Sequence, residues 1–116
     1  MAPLTDLTWQ QLANQLPADS ISLDAEGKPM LDISVVLKKE ITELTEDGVV
    51  LFFNLMFMAA NKAQILANQN QADGERLTAF NPATVGATVD GYVSLTRPFT
   101  CRSELSSATN IIGTNG

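Results

Sequence analysis

The sequence predicts an α+β chain, with N-terminal helices, one of them long and apolar, packed on a small C-terminal antiparallel sheet. Three observations carry this. Twelve residues from Val49 to Ala60 hold a single polar side chain, Asn54, and the pattern then continues at helical spacing. Residues 83–105 alternate apolar and polar with period two, as a half-buried strand does. Between these lies "NQNQADGE", residues 68–75, where amides and a glycine interrupt both patterns. The length of 116 residues suggests one domain, 1–116, with 106–116 as an irregular tail.

The first element is "LTWQQLANQL". Thr8 can cap a helix, and Gln11 three residues on completes a capping box. Leu7 and Leu12 are placed to staple it. A helix over 9–16 follows, ending before Pro17 and docked by Trp9, Leu12 and Leu16. Residues 18–32 are loop-like, with room for a small hairpin around "AEGKP".

Residues 33–44 fit two templates. Leu31, Ile33, Val35 and Leu37 alternate like a strand, while Ile33, Leu37, Ile41 and Leu44 follow helical spacing. The helical template places Lys38, Lys39, Thr42 and Glu43 together on the polar side, so a helix over 33–44 is expected, capped by Asp32 or Ser34.

The apolar segment is short for a membrane span, which needs about 20 apolar residues, and long for a strand. As a helix over 46–70 it has two apolar faces. Val49, Phe52, Phe53, Met56, Ala60, Ala63 and Ala67 form one, and Leu51, Leu55, Met58 and Ile65 lie nearly opposite. Asn54, Asn61 and Asn68 run between them at heptad spacing. Such a line is either a register-setting seam between helices or a solvent-facing edge; the edge is the simpler expectation. Gly74 is placed as a C-cap.

A strand is expected over "ERLTAF", and a hairpin around Asp90-Gly91. A three-residue loop, Val89-Asp90-Gly91, would pair Ala87 with Val93 and Val85 with Leu95, and so keep one face apolar. Phe99 and Cys101 would then face inward, and Thr100, Arg102 and Glu104 outward.

Composition narrows the chemistry. There is no histidine, which removes histidine-based triads, acid–base catalysis and zinc sites. The lone Cys101 reads as a buried structural thiol. Glu40, Glu43 and Asp47 would share a helical line, better read as a solvated face than a metal site. No catalytic, cofactor-binding or metal-ligating residue is assigned, no cofactor is implied, and an enzyme is the least favoured class. The formal charge of −6 falls wholly within residues 1–47, which argues against nucleic acid and anionic membranes as partners. The N-terminus lacks the pattern of a secretory signal, so a cytoplasmic location is expected.

The leading expectation is a non-catalytic domain that self-associates, as a homodimer, or docks on a protein partner through Leu51, Leu55, Met58 and Ile65, unless helix 33–44 covers that line. The alternative is a small apolar ligand held between Phe52, Phe53, Met56, Phe57 and the hairpin.

Overall fold

The computed structural model describes residues 2–102. It is an α+β chain: helix α1 (Trp9–Ala13), strands β1 (Ile21–Leu23) and β2 (Pro29–Leu31), helices α2 (Ile33–Leu37) and α3 (Val49–Asn68), then strands β3 (Thr84–Val89) and β4 (Tyr92–Thr96). The strands form two separate antiparallel hairpins, β1–β2 and β3–β4.

Helix α1 starts as its sequence dictates. Gln11 N–H donates to Thr8 Oγ1 at 3.1 Å, and Thr8 N–H donates to Gln11 Oε1 at 2.8 Å. The helix proper ends at Ala13, three residues short of the expected stop, and turns carry the chain to a buried Leu16. Trp9 does not dock inward as expected; it stays 69% exposed. The small hairpin forms, with Ile21 opposite Leu31 and Leu23 opposite Pro29.

Helix α2 corrects the sequence expectation most sharply. Asp32 caps it, accepting from the N–H groups of Ser34 and Val35, but it lasts only to Leu37 rather than 44. Lys38 adopts the left-handed conformation at φ 55° and closes the helix with bonds to Ser34 and Val35 carbonyls. Side chains then take over the backbone groups beyond it. Ser34 Oγ accepts from Ile41 N–H at 2.9 Å, and one Glu46 carboxylate oxygen accepts from Thr42 and Glu43 N–H groups at 2.8 and 2.9 Å. These local bonds compete with the helical ladder and win. Glu40, Glu43 and Asp47 therefore share no helical line.

Helix α3 spans 20 residues inside the expected 46–70. It starts at Gly48 without a side-chain cap. Gly48 has φ 129°, a conformation that favours glycine, and a Cβ there would also press on Leu37 Cδ1 at 3.2 Å, where α2 approaches the start of α3. At the other end Gln69, not Gly74, is the C-cap; Gly74 sits in the following turn.

The core lies where α1, α2 and α3 meet. Leu16, Val36 and Ala59 are buried together, with Leu12, Ile21, Phe52, Leu55 and Met56 packed around them.

The C-terminal hairpin keeps the expected apolar face by a different device. The turn has two residues, with Val89 opposite Tyr92, not three. Asp90 at φ 53° and Gly91 at φ 80° supply the paired positive φ values of a type I′ turn. Thr88, not Ala87, faces Val93, yet Val85 still faces Leu95. The register shift falls between Val85 and Thr88, so a bulge at Gly86-Ala87 opposite Ser94 returns Val85 to the face of Val93 and Leu95. The expected strand over 75–80 reduces to one bridge, Phe80 opposite Phe99.

Candidate interaction surfaces

The Leu51–Leu55–Met58–Ile65 line is split by α2. Leu51, Leu55 and Met58 line one cleft of about 370 Å³ with Leu16, Val36 and Leu37, whereas Ile65 lies outside it. Leu55 packs on the core cluster, so it belongs to the protein's own interior edge. Leu51 and Ile65 remain about half exposed.

The four residues of the alternative pocket do not surround a common space. Phe52 and Met56 pack on the core cluster. Phe53 stacks on Phe57, whose ring then meets Phe80 and Phe99 at centroid distances of 6.2 and 5.6 Å. This aromatic cluster joins the middle of α3 to the base of the C-terminal hairpin. Met56 instead lines a shallow notch with Trp9, Ile21 and β2.

The asparagine line is neither a seam between helices nor a free edge. Asn68 donates to Leu77 carbonyl and accepts from Leu77 N–H, both at 2.8 Å. Gln64 makes the same exchange with Phe80, again at 2.8 Å each way. Asn61 adds a second bond to the Phe80 carbonyl at 2.8 Å. Each primary amide thus does for a backbone residue what a neighbouring strand would do. Asn54 extends the line by accepting from Arg97 Nε at the hairpin's base. Gln64 was missed in the sequence, although it stands three residues after Asn61 and four before Asn68, the spacing of one helix face.

On the other side of this segment Thr100 N–H donates to Ala79 carbonyl and Asn81 N–H to Pro98 carbonyl. Cys101, expected inside, is exposed, because the paired stretch ends at Thr100. The position of Glu104 lies outside the described residues, as does the 106–116 tail.

Beyond this anchored base, every residue of β3 and β4 is exposed. The start of α3 is exposed as well, at Val49, Val50, Leu51 and Phe53. By length and composition α3 could cross a membrane, but Gln64 and the three asparagines bind the protein's own polar groups, and Lys62 lies exposed among them. Among the described residues, no three acidic or thiol side chains converge as a metal site would require. Searches against family models, curated proteins and solved structures find no match for this chain.

Proposed function

We propose that this chain is a non-catalytic assembly module that works by self-association. One observation carries the proposal. Among the described residues only six apolar side chains reach burial, three of them alanines, while eighteen large apolar or aromatic side chains stay exposed. A soluble monomer scatters such residues singly or hides them; here ten of the eighteen gather at the start of α3 and along the C-terminal hairpin to Phe99. The surface is therefore not the line of Leu51, Leu55, Met58 and Ile65 taken alone. A ligand carrier finds less support, since Phe53 and Phe57 pack on other rings rather than around a cavity. The excess of acidic groups in the N-terminal half disfavours nucleic acid and anionic lipid as partners. Analytical ultracentrifugation over a wide concentration range tests the proposal. A defined oligomer supports it, and a species of 12.5 kDa at every concentration overturns it.

A further inference from the structure

Two apolar faces of this chain are built but left uncovered. The first is the start of α3, where Val49, Val50 and Phe53 lie within about 100° of one another on the helix and are 65%, 86% and 52% exposed. The second is the hairpin face of Val85, Val93 and Leu95. Its bulge is informative: without it, a two-residue turn would send Val85 to the other face. The bulge keeps Val85 on the face of Val93 and Leu95, and among the described residues nothing covers that face. Beyond the base that Arg97 and Phe99 fix to α3, the hairpin's residues stay exposed, and each face stays open.

We infer that the two faces cover each other between copies: the β3–β4 hairpin of one chain lies on the start of α3 of a second, and the contact is repeated about a two-fold axis. This rests on the self-association proposed above. Area favours it. Each face holds only three apolar side chains that are about half exposed or more. That is too few to supply the roughly 800 Å² that one partner in a stable dimer buries, whereas the two together come closer to it.

Charge selects the cross-pairing over like meeting like. Glu40, Glu43, Glu46 and Asp47 precede α3 and outnumber Lys38 and Lys39 beside them, so joining two α3 starts would set a net negative flank against its copy. The hairpin's base instead carries Arg97, bonded among the described residues to the neutral Asn54, and Arg102. Hairpin on helix brings cations to the acidic flank.

Light scattering on the full chain and two variants tests this. Val50→Asp places an acid in the first turn of α3, where the helix dipole tolerates it, and Leu95→Lys places a cation on the hairpin face. Wild type should have twice the 12.5 kDa chain mass, and each variant, still folded by circular dichroism, the single mass. Mixing the two variants should restore the doubled mass, because one hairpin–helix contact is then unaltered and the other pairs the new acid with the new cation. If either variant alone stays dimeric, or the mixture stays monomeric, the cross-pairing is wrong although self-association stands. Assemblies larger than two overturn the two-fold arrangement, and loss of helical signal in a variant shows that its position is core. A monomeric wild type ends both this inference and the proposed function.

Discussion

At the scale of single residues, conformation rather than contact decides the C-terminal turn. Gly91 at φ 80° has nothing within 4 Å of the place a Cβ would occupy, so space is not the constraint. A β-branched side chain there is strained by its own backbone, and Gly91→Val should destabilise the hairpin by about 1–3 kcal/mol. Because the hairpin touches little else, the loss should appear as faster amide exchange across 84–96 before it appears in global melting. Glu46 acts through charge. The N–H of Thr42, and then that of Glu43, hold its carboxyl below the usual glutamate range. A depressed acid stabilises the fold above its unfolded pKa and loses that contribution as pH falls through the folded one. The 42–46 turn should therefore be intact at neutral pH and loosen on acidification. An NMR titration of the Thr42 and Glu43 amides should follow the Glu46 carboxyl, with a midpoint below that of an ordinary glutamate; amides insensitive to that titration would contradict the assignment.

At the scale of elements, the sequence was most legible where a local signal acted alone. The capping box of Thr8 and Gln11 and the Asp32 cap both form as read. Helix α3 was legible from its unbroken apolar run. Helix 33–44 was misjudged because periodicity records only apolar spacing, whereas Ser34 and Glu46 bind backbone groups that a longer helix would need. The hairpin showed its apolar face but not where the extra residue would go, since Gly91 and Gly86 both suit a bulge. The asparagine line was visible, but its partner was not: a segment nine to nineteen residues away leaves no mark in helical periodicity. That grip is open to test. Gln64→Leu keeps the bulk and removes both bonds to Phe80. Leaving a partly buried N–H unmatched costs about 1–3 kcal/mol, so melting should fall accordingly and amide exchange should quicken at Phe80. An unchanged Phe80 amide would mean that the bond to Gln64 contributes nothing.

At the scale of the whole molecule, the small shared interior sets what the protein can do alone. Leu16, Val36 and Ala59 form a modest core for the described residues. If association supplies the remainder, stability depends on concentration, each tenfold rise adding about 1.4 kcal/mol to a dimer. The melting temperature should climb across a dilution series, and a constant value would mean that the folded chain stands by itself. Leu55→Glu separates interior from surface. Leu55 packs against the core cluster, so an unpaired charge there should unfold the chain instead of yielding a folded monomer. Circular dichroism together with light scattering distinguishes the two. The candidate surface was thus half legible: the sequence pointed to the apolar helix, but α2 and the hairpin determine which part of it faces outward.

The grip of Gln64 and Asn68 on residues 77–80 also bears on synthesis. A nascent chain emerges N-terminus first, so α3 is complete before its four-residue strap leaves the ribosome. The strap can be held by those two amides while residues 84–96 have yet to emerge. When Phe99 arrives it meets a Phe80 whose backbone is already fixed, so the second hairpin closes on a preset anchor. The helix thereby serves the later sheet as a template laid down in advance.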